Sequence, residues 1–476
     1  MRSRTESRGP STYNFKMIRF PGWIAGACCL LAAAGCATLP DTEFLSERYV
    51  TQKARLESAR GPLSAKRTAV IVAQLKRGSG DIDILDKQIA LEQEIAGNPL
   101  MVGNKVVLLQ DGPATYSAMF AAIRAAKDSI NVESYIIEEG EVGQQFADAL
   151  LERQAHGVQV NLVYDSVGTI GTSKAFFDRL VQGGIQVLEF NPVNPLELKK
   201  SWAPNHRDHR KLMVIDGRTA FLGGINISGV YASGSSPRPD EGEADLTTGW
   251  RDTDIEVEGP AVAEFQKLFV ETWENQHGKP LAQRDYFPEI PARGTELVRA
   301  VASTPDDPYS LIYLTLISAI TNAEKQVHII NAYFVPDPQL VKALIDAAAR
   351  GVDVRLVLAS HTDSPSAHHA GRSHYSELLA AGVRIYERRG GLVHAKTAIV
   401  DGVWSWVGSS NLDWRSALDN NEINAVILGR DFAAQMQAAY ARDIAASDEI
   451  DRESWGRRAF VLRVKEWGAS LWGRLL

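Results

Sequence analysis

The residues best equipped for chemistry occur twice in this chain. The first set is His209, Lys211 and Asp216 in HRKLMVID, and the second is His394, Lys396 and Asp401 in HAKTAIVD. In both, the lysine follows the histidine by 2 and the aspartate follows it by 7. In both, a glycine-rich turn ends on an asparagine 17 residues after the histidine, Asn226 in GGIN and Asn411 in GSSN. A single His-x-Lys is common in any sequence. Two copies with the aspartate and the asparagine in register make a specific signal.

The charges say what such a set can do. Alternate residues of a strand point the same way, so each histidine is expected to share a face with its lysine. Brought into one cleft, the two copies supply two imidazoles, two ammonium groups and two carboxamides around one anionic centre. Phosphoryl transfer needs charge neutralised on the non-bridging oxygens and a nucleophile in line with the leaving group. Lysines and asparagines can supply the first, so no metal and no cofactor is expected. One imidazole attacks phosphorus and the other protonates the departing alcohol. The two rings are therefore expected to differ in protonation at rest. A nucleophilic imidazole also needs its second ring nitrogen held by a carboxylate. Glu422 in NNEIN is one candidate, and RDTDIEVEGP holds its counterpart in the first half. Aligning DIEV with EINA selects Asp254, with Asp252 the less favoured choice.

The elements that must position these groups are also duplicated. KDSINVESYII, GVQVNLVYDS and GGIQVLEF are separated by alanine-rich helical stretches, and KQVHIINAYFV, GVDVRLVLAS and AGVRIYER repeat the order. Alternation of β-branched runs with helical patterns is the α/β signature. The expected fold is α/β, with two similar repeats packed about a pseudo-two-fold axis and one shared active-site cleft. The expected organisation is a signal peptide with lipobox at 1–36, a helical stalk or collar at 37–104, a first repeat at 105–277 and a linker at 278–294. A second repeat at 295–446 and a basic amphipathic helix at 447–476 complete it.

These motifs resemble the phospholipase D superfamily with two HKD motifs. AYFVPD, RGVDVRL, GVRIYE, GGLVHAKTAIVDG, VGSSNLDWRS and NNEIN are most similar to bacterial cardiolipin synthases. The resemblance covers about residues 105–445. It implies a membrane-associated phosphatidyltransferase that makes cardiolipin from phosphatidylglycerol through a phosphohistidine. It implies His209 as nucleophile, His394 as general acid/base, and Asp216 and Asp401 as supports for the motif lysines and the turn. Phosphatidylglycerol, and phosphatidylethanolamine as a further donor, are the implied lipid partners. A hydrolytic phospholipase D releasing phosphatidic acid, and a phosphodiesterase or nuclease of the same superfamily, are the alternatives.

Composition narrows these. The 476 residues carry 51 Lys+Arg against 58 Asp+Glu, a net charge of −7, so no nucleic-acid partner is expected. The 3 cysteines are Cys28, Cys29 and Cys36, which excludes a disulfide framework or a thiolate zinc site in the body. A basic stretch, the apolar run WIAGACCLLAAAGC and small residues before Cys36 resemble a lipoprotein signal. That predicts lipidation at Cys36 and a lipid-anchored, periplasm-facing place in the bacterial envelope, at the outer membrane if there are two. HTDSPSAHHAGRSH, with His361, His368, His369 and His374, reads as a substrate-lining loop rather than a metal site. The insertion SGSSPRPDEGEADLTTG reads as a cover for the cleft or a disordered loop. In ESWGRRAFVLRVKEWGASLWGRLL, tryptophans and cations on an amphipathic stretch fit either interfacial membrane contact or a terminal helix packed on the body.

Overall fold

The computed structural model describes residues 55–76, 85, 88–89, 91–93, 97–193, 205–235, 249–307 and 310–475. The signal segment with Cys36, the first part of the stalk and residues 236–248 of the polar insertion lie outside them.

The first half contains strands β1 (Leu100–Gln110), β2 (Ser129–Ser134), β3 (Gln159–Asp165), β4 (Gln186–Phe190), β5 (Lys211–Ile215), β6 (Thr219–Gly223) and β7 (Thr253–Glu258). Its helices are α1 (Asp111–Ala125), α2 (Glu141–Ala155), α3 (Lys174–Gln182) and α4 (Val262–Asn275). The second half contains β8 (Glu296–Ser303), β9 (Gln326–Asn331), β10 (Asp353–Ala359), β11 (Arg384–Arg388), β12 (Lys396–Val400), β13 (Trp404–Gly408) and β14 (Asn420–Leu428). Its helices include α5 (Leu311–Asn322), α6 (Pro338–Ala349), α7 (Pro365–Arg372), α8 (Tyr375–Ala380) and α9 (Arg430–Ala445). Helices α10 (Arg452–Gly456) and α11 (Phe460–Ser470) follow.

The strand order is the same in both halves. It runs β4-β3-β2-β5-β6-β7-β1 in the first. It runs β11-β10-β9-β12-β13-β14-β8 in the second. The βαβ crossovers make β2-β3-β4 and β9-β10-β11 parallel, and the remaining neighbours are antiparallel. Strands β1 and β8 also pair with each other, so the duplicated sheets join along equivalent edges.

Burial on both faces explains why these strands read as continuous apolar runs. In β5, Leu212 and Val214 enter a core shared by the two halves, while Met213 and Ile215 enter a second core under α1, α2 and α3. The shared core also takes Phe265, Phe269 and Trp273 from α4, and Phe432, Met436 and Tyr440 from α9. In the stalk, Glu92 accepts from Trp404 Nε1 (2.7 Å) and Gln88 donates to the Thr315 carbonyl (3.1 Å), which seats this segment on the second half.

Candidate active site

The β5–β6 and β12–β13 hairpins begin at the motif lysines and turn at Asp216-Gly217 and Asp401-Gly402. Both central residues of each turn have positive φ, 52° and 60° in the first and 51° and 66° in the second. That is the primed hairpin turn, for which Asp-Gly is a preferred pair. The aspartates do a second job there. Asp216 accepts from the N–H groups of Lys127, Asp128 and Ser129, and Asp401 from those of Glu324, Lys325 and Gln326. They pin the starts of β2 and β9 at the far end of the five-residue strands from the lysines, roughly 16 Å away at strand rise. The expectation that they support the motif lysines is therefore corrected. They support the turn and the neighbouring strand.

At the other end of these strands the halves exchange contacts. The His209 N–H donates to the Asn421 carbonyl (3.0 Å), and the His394 N–H donates to the Arg251 carbonyl (2.7 Å). Each acceptor immediately precedes a carboxylate that takes the same histidine's ring. His209 Nδ1 lies 2.9 Å from Glu422 Oε1, and His394 Nδ1 lies 2.7 Å from Asp252 Oδ2. A carboxylate only accepts, so each Nδ1 carries the proton and each Nε2 is left with a lone pair. The carboxylates are thus swapped: the second half orients the first half's histidine, and the reverse.

Asp254 does not orient a histidine, which corrects the alignment of DIEV with EINA. The strand ladders show why. Asp254 stands opposite Gly223 in β6, as Asn424 stands opposite Gly408 in β13. The structural counterpart of Glu422 is therefore Asp252, two residues earlier. Asp254 Oδ1 instead accepts from the Ile225 N–H (3.0 Å). Burial, with Asp252 beside it, pushes the Asp254 carboxyl well above the usual carboxylate range.

Each motif lysine folds back on its own histidine, with Lys211 Nζ donating to the His209 carbonyl (2.6 Å) and Lys396 Nζ to that of His394. Burial lowers the ammonium of Lys211 to about 7 and that of Lys396 to about 8, and Lys396 also depresses Lys211. Lys396 further lowers His209, and Lys211 lowers His394, so the four groups share one electrostatic site. Burial pulls both imidazoles down to about 4, outweighing their carboxylates. Burial thus acts on both rings in the same sense, favouring the neutral form of each. Burial raises Glu422 and Asp252, but His209 with Lys211, and His394 with Lys396, more than offset this. Glu422 falls to about 2, and Asp252 falls below its ordinary value.

The two turn asparagines differ. Asn226 is engaged at both ends of its amide, accepting from the Ile136 N–H (3.1 Å) and donating to Tyr231 Oη (3.2 Å). Asn411 Oδ1 is buried with no hydrogen-bond partner.

Several residues of the site escaped sequence reasoning. Tyr135 stands edge-on to His209 (centroids 5.0 Å) and Tyr333 edge-on to His394 (6.1 Å). The tyrosines of VESYII and INAYFV match by letter, but the ladders set Tyr135 one residue after the partner of Lys211 and Tyr333 two after the partner of Lys396, so the repeats do not place them equivalently. Tyr231 Oη lies 3.2 Å from His394 Nδ1, and Trp250 also faces that ring (centroids 5.3 Å). Ser409 and Ser416 donate to Glu422. These contacts cross the repeat boundary or a turn and leave no spacing pattern. In the histidine-rich segment, His361 pairs with Ser360, His368 with Arg372 and His374 with Glu377. His368 lines a small pocket together with Tyr333, which places that segment beside the cleft.

The profile of the family described as "Cardiolipin synthase, PLD-like domain" matches residues 119–233 and 316–444, one segment in each half. A cardiolipin synthase of Geobacillus kaustophilus is 33% identical over 380 residues, 79% of this chain and 74% of that protein. This chain belongs to the cardiolipin synthase family. A cardiolipin synthase A of Pseudomonas entomophila is 36% identical over 361 residues, 75% of this chain and 71% of that one. Phosphatidylserine synthase of Haemophilus influenzae has the same fold, with a TM-score of 0.59 at 12% identity, covering 82% of this chain and all of that chain. The chain is an enzyme of the phospholipase D-type phosphatidyltransferase kind, acting on phospholipids.

Membership in the cardiolipin synthases overturns one expectation. The lipid-anchored, periplasm-facing, outer-membrane placement does not stand, because bacterial cardiolipin synthases of this kind are typically inner-membrane proteins. Cys36, on which that placement rested, lies outside the described residues. Among the described residues no helix is long and apolar enough to cross a membrane.

Proposed function

We propose that the cleft moves a phosphatidyl group between two phosphatidylglycerol molecules in two displacements, giving cardiolipin and glycerol. His209 Nε2 attacks the phosphorus of the first lipid. The bond from phosphorus to the headgroup glycerol breaks, and His394 gives the leaving oxygen its proton. A headgroup hydroxyl of the second lipid then yields its proton to His394 and attacks phosphorus, and the P–N bond breaks. Lys211, Lys396 and Asn411 face the non-bridging oxygens, where added negative charge is stabilised. Both imidazoles are neutral in the empty site. An arriving phosphodiester anion offsets the burial that keeps them so and draws the needed proton to His394. Asp252 stabilises the resulting imidazolium, and Glu422 stabilises the charge on phosphorylated His209.

The observation that carries this reading is the swapped pair of carboxylates, which holds two imidazoles with free Nε2 atoms beside two buried lysines. The test is reconstitution with phosphatidylglycerol of defined acyl composition and product analysis by mass spectrometry. Cardiolipin and glycerol in equal amounts are expected. Phosphatidic acid as main product would replace the reading with hydrolysis. Cleavage of DNA without any lipid product would replace it with a nuclease.

A further inference from the structure

Helix α11 buries the side usually left to water. Its acid, Glu466, is buried and ion-paired with Arg458 (2.8 Å). Its apolar residues are exposed: Phe460 by 76%, Val464 by 48%, Trp467 by 65%, and Leu471 just beyond it by 65%. Steps of four, three and four residues put these on one stripe of a helix. An apolar stripe of this kind on a folded protein marks a contact surface.

The charge pattern says what it contacts. The chain as a whole carries −7, yet the exposed charges of α11 are the cations Arg463 and Lys465. Tryptophan at the border of an apolar stripe with flanking cations is the chemistry that seats a helix in the headgroup region of an anionic bilayer.

The helix is also held near the chemistry. Ala469 packs on the cluster of Val335, Ala367 and Ala370, the last two from α7. In α10, the Trp455 ring meets Arg372 of α7 (5.0 Å) and Tyr375 of α8 (centroids 5.0 Å). His368 of α7 lines the same small pocket as Tyr333, whose ring stands against His394. The stripe is one helix away from the wall of the cleft.

We infer that α11 lies in the interface of an anionic lipid bilayer and holds the mouth of the cleft at headgroup level. The inference takes its lipid substrate from the transfer reading but is tested on binding alone. The full chain is mixed with vesicles of phosphatidylglycerol and phosphatidylcholine, or of phosphatidylcholine only, each carrying brominated acyl chains that quench tryptophan. Quenching is expected with the anionic vesicles, and the double variant Trp467→Phe/Trp472→Phe, which also removes the exposed Trp472 just beyond the helix, should lose a large part of it while still binding. Trp23 contributes equally to both proteins. Val464→Glu/Trp467→Glu should weaken vesicle binding on the order of ten-fold. Arg463→Glu/Lys465→Glu should weaken it on anionic vesicles alone. All three should still turn over a soluble p-nitrophenyl phosphodiester at the parent rate, which reports an intact fold and cleft whichever lipid product is made. Unchanged quenching in the phenylalanine variant would overturn the inference. So would a dimer in sedimentation that the glutamate variant dissociates with no change in vesicle binding, since the stripe would then belong to a second copy.

Discussion

In the first half, Asp252 lies against Gly224. In the second, Glu422 lies against Ser409, the residue at the equivalent place after β13. Glu422 takes hydrogen bonds from His209 and from the hydroxyls of Ser409 and Ser416. Asp252 takes one from His394 and one from the Thr253 N–H, and Tyr231 shares the His394 ring nitrogen. A buried anion with more hydrogen-bond donors stands behind His209, and a ring with a second polar neighbour stands at His394. Near-identical backbones thus carry unequal reagents. The difference favours His209 as the ring that must tolerate a full positive charge when phosphorylated, and His394 as the ring that passes a proton.

The largest effect should come from removing either ring. His209→Ala and His394→Ala should each lower turnover of phosphatidylglycerol on the order of 10³-fold or more, as members of one cooperating unit. A p-nitrophenyl phosphodiester separates them, because nitrophenolate leaves without a proton. His394→Ala should still give a burst or a trapped phosphoryl-enzyme with it, and His209→Ala should give none. The reverse pattern would exchange the roles, and full activity of either variant would break the shared-site picture.

Next come the carboxylates. Glu422→Gln and Asp252→Asn should each cost on the order of 10²- to 10⁴-fold in kcat, because the wrong tautomer then faces phosphorus. Asp254→Asn is the contrast. Burial pushes its carboxyl well above the usual carboxylate range, which disfavours the charge that Asn would remove, and the second half already carries Asn424 at that register, so kcat should stay within about three-fold. Equal losses at Asp252 and Asp254 in steady-state kinetics would undo the assignment.

The pH dependence should be smaller and of definite sign. In the empty site Lys211 and Lys396 lose their protons near 7 and 8, whereas a bound phosphodiester anion favours the protonated form. Binding therefore takes up protons, and kcat/KM should fall as pH rises through 7 to 8. Lys211→Met should remove the lower of the two steps. A flat profile from pH 6 to 9 would mean that the lysines stay charged throughout.

The smallest effect on catalysis is expected at the hairpin turns. Asp216→Ala and Asp401→Ala each strand three backbone N–H groups, and charge-assisted bonds are worth roughly 1.5–3 kcal/mol apiece before water substitutes for them. Urea denaturation should show similar destabilisation of a few kcal/mol for both, with kcat per folded molecule nearly unchanged. A selective loss of kcat would return these residues to the chemistry.

The duplicated motif made the α/β repeats and the pairing of His209–Lys211 with His394–Lys396 legible, because strand periodicity and equal offsets are local properties. The carboxylates were legible as a type but not as positions. DIEV and EINA match by letter, while the ladder aligns Asp252 with Glu422, and only hydrogen bonding between strands sets that register. The exchange between halves was hidden for the same reason, since the Asn421 and Arg251 carbonyls that take the histidine N–H groups have no side-chain signature. Charge states were further from reach: desolvation overrides the neighbouring carboxylates at both rings, and burial is a property of the whole fold. The terminal helix had two open readings: it packs one face on the body, while its apolar residues stay exposed on the other.

The fit of Gly224 to Asp252 has a consequence for how such chains drift. A Cβ at Gly224 would lie 2.2 Å from Asp252 Oδ1, whereas the side chain of Ser409 is tolerated because Glu422 accepts its hydroxyl. Each half has therefore settled on a couplet, glycine with aspartate or serine with glutamate, in which neither member can change alone without jamming or orphaning the other. Descendants should move between couplets only by paired substitutions, so that these two positions covary across lineages even where the surrounding sequence has lost all resemblance.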